Sequence, residues 1–108
     1  MKIIKGVLEE ELENSRRMKG EYERAIDALP RGALVKKVIR GRSYYYLMMR
    51  KGGKVRFEYK GKLSPQEIKK YEEAKKLRAK YRKLLGQVKK QIAFLEKALR
   101  GKEIRSLS

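Results

Sequence analysis

The chain contains no cysteine, histidine, tryptophan or threonine, only two prolines, and a single asparagine and aspartate, Asn14 and Asp27. Without cysteine, disulfides and thiolate metal sites are excluded. Without histidine as well, the usual general base, thiol nucleophile and zinc ligands are missing, so the sequence is read as non-enzymatic, with no catalytic residue, no metal site and no cofactor. A magnesium-dependent nuclease needs converging carboxylates, whereas Glu9, Glu10, Glu11 and Glu13 follow one another along a helical stretch and read as solvated charge. No apolar run approaches 18 residues and the start has no signal-peptide pattern, which predicts a cytoplasmic protein with no membrane association.

Negative charge is also scarce. Thirteen acidic residues stand against 31 Lys and Arg, a net +18 over 108 residues. The excess is uneven. Residues 1–30 carry a net −1, whereas 31–62 hold eleven basic residues and one acidic residue, Glu58, interleaved with Tyr44, Tyr45, Tyr46 and Tyr59. A surface meant only for solubility mixes both signs, so this segment points to a polyanionic partner, nucleic acid above all.

Hydropathy patterning predicts one α+β domain over 1–108. It comprises a helix over 1–29, a basic β-hairpin sheet of two or three antiparallel strands over 33–62, a second helix over 65–100, and a tail over 101–108. In the first helix Ile4, Leu8, Leu12, Met18, Tyr22, Ala25, Ile26 and Leu29 form one stripe, ended by Pro30 and Gly32. Strands are expected at Ala33–Ile39, Tyr44–Arg50 and Val55–Lys60. Gly52-Gly53 marks a two-residue turn that sets Arg50 against Val55, Met48 against Phe57 and Tyr46 against Tyr59. On this register Tyr44, Tyr46, Met48, Val55, Phe57 and Tyr59 share one face, assigned to the core. Tyr45, Leu47, Met49, Lys51, Lys54, Arg56, Glu58 and Lys60 share the other, assigned to solvent.

Ser64-Pro65-Gln66-Glu67 supplies an N-cap, a proline at the first helical position and a capping glutamate. From Tyr81 onward the apolar spacing alternates four and three, a coiled-coil seam, and Gly101 marks the stop. Folding the two helices back antiparallel sets Glu9 to Glu13 opposite the basic stretch from Lys80 to Lys90, although a second copy could receive the same acids. Because the helices differ in length, Ile92, Leu95 and Leu99 are expected to stay uncovered and to form a homodimer interface.

The candidate nucleic-acid-binding residues are Lys36, Arg40, Arg42, Tyr45, Lys51, Lys54, Arg56, Lys60 and Lys62 on the hairpins, with Lys69 and Lys70 at the start of the second helix. Tyr45, as the outward ring of the Tyr44-Tyr45-Tyr46 run, is read either as a stacking or phosphate contact or as cover for an apolar patch with Leu47 and Met49. The rival reading is a protein-interaction or antitoxin-like module that pairs through its helical seam.

The runs Leu29-Pro30-Arg31-Gly32-Ala33-Leu34, Tyr44-Tyr45-Tyr46-Leu47, Arg50-Lys51-Gly52-Gly53-Lys54-Val55 and Tyr59-Lys60-Gly61-Lys62 resemble a family of small uncharacterised prokaryotic proteins. Those proteins carry this pattern between helices, and some are associated with mobile or toxin–antitoxin loci. The resemblance covers about residues 29–95 and implies the helix, hairpin, helix order without an activity. The hairpin is also similar to the small sheets of arm-type DNA-binding domains in tyrosine recombinases, which implies strands placed in a groove.

Overall fold

A computed structural model describes residues 2–101, the side chain of Lys2 excepted. The elements run α1 (Lys2–Asp27), β1 (Ala33–Ile39), β2 (Arg42–Lys51), β3 (Lys54–Gly61) and α2 (Pro65–Arg100). The α+β class, the two long helices and the antiparallel sheet between them in sequence are as expected. Of the tail at 101–108, all but Gly101 lies outside the described residues. The chain divides into two compact units, one of residues 28–79 and one formed by 1–27 with 80–108.

In the unit of 28–79 the sheet order is β1-β2-β3, all antiparallel. Gly52 and Gly53 have φ of 59° and 78°, the left-handed pair that a two-residue type I′ turn demands. The register is the one this turn dictates: Arg50↔Val55, Met48↔Phe57 and Tyr46↔Tyr59. The β1–β2 turn is built likewise from Arg40 (φ 53°) and Gly41 (φ 76°). A bulge between Tyr45 and Tyr46 sets Tyr45 against Gly61, so that Lys60 is the extra residue of β3.

The assignment of the sheet faces is reversed. Leu47 is 4% exposed, and Tyr45 and Met49 on the same face are half-buried, whereas Val55, Phe57 and Tyr59 are exposed and Met48 is at the border of exposure. The covered face therefore holds Leu34, Tyr45, Leu47 and Met49. Its cover is the start of α2, where Ile68 and Tyr71 line a groove with Leu34 and Tyr45, together with the 29–32 loop. Gly32, at φ 94°, lies so close to the sheet that a Cβ would stand 2.8 Å from Leu47 Cγ and 2.9 Å from Met49 Cγ. Arg78 donates a hydrogen bond to the carbonyl of Pro30 and ties this loop to the helix. Strand alternation fixes which residues share a face but not which face is inside. Both sets here are apolar enough to serve, and the side carrying the aliphatic pair Leu34↔Leu47 is the one buried.

Helix α2 begins as predicted. The Glu67 N–H donates to Ser64 Oγ at 3.2 Å, Ser64 Oγ–H donates to Glu67 Oε1 at 3.1 Å, and the Ile68 N–H reaches the Ser64 carbonyl at 3.1 Å. At the other end the Gly101 N–H meets the Ala98 carbonyl at 3.2 Å.

In the second unit α1 packs antiparallel on the later part of α2. Leu12, Ser15, Val88 and Leu95 are buried, the Tyr22 and Tyr81 rings lie 6.2 Å apart, and Arg16 meets Glu96 at 3.6 Å. Two expectations fail here. Among the described residues Arg16–Glu96 is the ion pair joining the helices, basic on α1 and acidic on α2, and Glu9 to Glu13 are exposed and form none. Nor is the end of the seam open: Leu95 is 5% exposed, and Ile92 and Leu99 are half-buried. With Tyr22 beside Tyr81, α1 covers α2 from Tyr81 onward rather than from its start, so its length suffices to reach Leu95. No helix among the described residues is long and apolar enough to cross a membrane.

Candidate nucleic-acid interface

The three strands place side chains of β1, β2 and β3 in cross-strand rows on the open face of the sheet. The central rows are Val35, Tyr46 and Tyr59, then Ala33, Met48 and Phe57. Tyr46 and Tyr59 are neighbours, with ring centroids 5.2 Å apart and planes at 59°, and the Lys37 ammonium sits 5.2 Å from the Tyr46 centroid. Tilted rings at this distance attract edge to face, and a cation over the Tyr46 ring adds to their order. Phe57 and Tyr59 are nevertheless 60% and 56% exposed.

Cations stand at both ends of this apolar field. At the end of the first turn are Lys37, paired with Tyr44, and Arg42, paired with Ile39, with Arg40 in the turn itself. At the opposite end Arg50 lies across from Val55, and Lys51 faces Lys54. All six are exposed, and none has a carboxylate within ion-pair distance among the described residues. Lys51 and Lys54, like charges directly opposite, repel each other slightly in the free protein, and a bound anion would relieve that repulsion.

The residues expected from sequence do not all belong to this surface. Arg42 lies on the open face and Arg40 in the turn at its end, whereas Lys51 and Lys54, exposed at the other turn, alternate with Leu47 and Met49 and belong to the covered side of the sheet. Tyr45 is not outward: it is half-buried on the covered face, beside Leu34, Ile68 and Tyr71. Lys36, Arg56 and Lys60 share that side of the sheet. Lys60 is bonded to Glu58 at 3.0 Å, and this hydrogen bond, with the attraction of the carboxylate, holds its ammonium above the ordinary lysine range. Lys62 is exposed just ahead of α2. Lys69 meets Glu73 at 3.9 Å, and with Lys70 it borders a shallow groove of about 440 Å³ against Leu29, Pro30 and Leu77. The groove beside Tyr45, of about 310 Å³, mixes Lys36 and Lys75 with Glu72 and has no one charge to offer a ligand.

Sequence reasoning left Lys37 and Arg50 out of the candidate residues, and it missed Phe57 and Tyr59 as surface residues because the reversed faces placed the rings in the core. The signal that could have found them was Leu34. The β1–β2 turn sets it opposite Leu47, and two leucines face to face on the inner strand pair mark the inside. Among the described residues, no three carboxylates gather as a metal site would require.

The sequence matches the family described as a domain of unknown function (DUF6788) over residues 8–70, more than half of the chain, and the chain belongs to that family. No curated protein and no solved structure matches it significantly.

Proposed function

We propose that this member of the DUF6788 family is a non-enzymatic nucleic-acid-binding protein whose interface is the open face of its sheet and the two turns at the ends of that face. The observation that carries the reading is the pair of exposed rings Phe57 and Tyr59, beside the half-buried Tyr46, with cations at both ends that have no ion-pair partner among the described residues, in a segment of net +10. Phosphates meet Lys37, Arg40, Arg42, Arg50, Lys51 and Lys54, and the central rings take bases or sugars. Lys62 and Lys70 add to the field from the start of α2.

The test is a salt titration. About six phosphate contacts give a slope of log K against log salt near −4 on single strands and near −5 on duplex. Replacing Arg40, Arg42, Arg50, Lys51 and Lys54 with Gln should flatten that slope, whereas replacing Lys89, Lys90 and Lys97 on the later part of α2 should leave it nearly intact. Equal losses from both sets would reduce the reading to diffuse attraction.

A second reading, association of the helical unit with another copy, has its support in Ile3, Val7 and Phe94, which are exposed apolar residues of that unit. These would replace the buried Leu95 at the centre of such an interface.

A further inference from the structure

Resting on the reading of the open face as a nucleic-acid interface, we infer that its ligand is a single strand whose bases stack on Tyr59 and Phe57. Three observations lead there. First, Phe57 and Tyr59 are two residues apart on β3, roughly 7 Å along the strand. Consecutive bases of a duplex strand rise about 3.4 Å. One strand can set neighbouring bases on both rings only if those bases are drawn apart, which a base-paired duplex does not permit.

Second, the centre of the open face lacks the groups that read base edges in a groove. The only asparagine of the chain is Asn14 on α1, and all its glutamines lie on α2, so no side-chain amide stands on the sheet. The centre of the face offers rings, Met48 and Val35, and the guanidinium groups are confined to its ends. Such a surface suits the flat faces of unpaired bases better than their hydrogen-bonding edges.

Third, the charge arrangement fits a backbone that enters over one turn and leaves over the other, with Arg40 and Arg42 at the first and Arg50, Lys51 and Lys54 at the second. The same charges oppose a second copy as occupant, since pairing two such faces would set a segment of net +10 against its equal.

The experiment measures fluorescence anisotropy of a labelled twelve-nucleotide oligothymidylate, and of the same strand paired with its complement, against wild type, F57A, Y59A and Y59F. Both rings are more than half exposed, so their removal leaves the fold in place, which circular dichroism checks. The expected result is tighter binding of the single strand, roughly 5- to 100-fold weaker binding by F57A and by Y59A, and near wild-type binding by Y59F, which keeps the ring. The salt slope should not change in these variants, because no charge is removed. Preference for the duplex, or full single-strand affinity in both alanine variants while R42Q and R50Q lose binding, overturns stacking and leaves the nucleic-acid interface standing. Absence of salt-dependent binding to either oligonucleotide overturns the interface itself. A wild-type dimer that F57A disperses would assign the face to a second copy and overturn the inference.

Discussion

At the scale of single residues, Gly32 and Glu58 carry the most exposed commitments. Gly32 combines a left-handed φ with an approach to Leu47 and Met49 closer than a Cβ tolerates, so Gly32→Ala must strain the backbone and displace a buried leucine together. The expected loss is about 1–3 kcal/mol, read from the urea midpoint. An unchanged midpoint would mean that the 29–32 loop does not clamp the sheet. Glu58 is the one acidic residue among eleven basic ones, and it occupies Lys60. Because that contact raises the Lys60 pKa in the folded state, its contribution is complete below the ordinary lysine value near 10.5 and vanishes as pH climbs through the raised one. Glu58→Gln should bring the Nζ titration back down. Because Glu58 and Lys60 stand on the covered side of the sheet, the salt slope on nucleic acid should stay within about one unit of wild type; a steeper slope would bring the covered side into the interface.

At the scale of elements, the helices, the strands and the β2–β3 register were legible because local chemistry dictates them. Pro30 ends the first helical pattern, Gly52-Gly53 permits one turn geometry, and Ser64 caps the Glu67 N–H as the motif places it, with the Glu67 carboxylate accepting from the Ser64 hydroxyl. The sheet's inner face was not legible from β2 and β3, since Tyr46, Met48 and Phe57 make as plausible a core as Tyr45, Leu47 and Met49. The choice falls to a tertiary partner, the start of α2 with the loop ahead of β1, and a tally of apolar residues strand by strand contains neither. The rings of the candidate interface were lost through the same inversion, although the cations at its turns were found. The caps and helix interiors give measurable consequences. Ser64→Ala should cost about 1 kcal/mol, by removing the acceptor of the Glu67 N–H. Gly86, exposed and with nothing within 4 Å of an added Cβ, should gain roughly 0.5–1 kcal/mol as alanine. Thermal melts of the two variants should move in opposite directions.

At the scale of the whole molecule, the burial of Leu95 within one chain changes what its substitution reports. Leu95→Glu places a charge where the side chain is 5% exposed, so it should unpair α1 from α2 and lower helicity rather than release folded monomers. Phe94→Glu, at a side chain 67% exposed, should keep the helicity and disperse any dimer the helical unit forms. Sedimentation of both variants separates the cases, and a wild-type monomer at tens of micromolar ends the proposal of self-association. The division of the chain bears on how it can be rebuilt. Two antiparallel helices are commonly joined by 2–5 residues, and here the paired stretches, α1 and α2 from Lys80 onward, are separated in sequence by the whole unit of 28–79, which includes the start of α2. In chain order, the sheet and the start of α2 lie between the two paired helical stretches. Closing so long a loop costs about 2 kcal/mol more entropy than closing a five-residue one, so a chain with 28–79 exchanged for a short Gly-Asn linker should recover that amount in its helix pair, and the sheet should be portable to other hairpins.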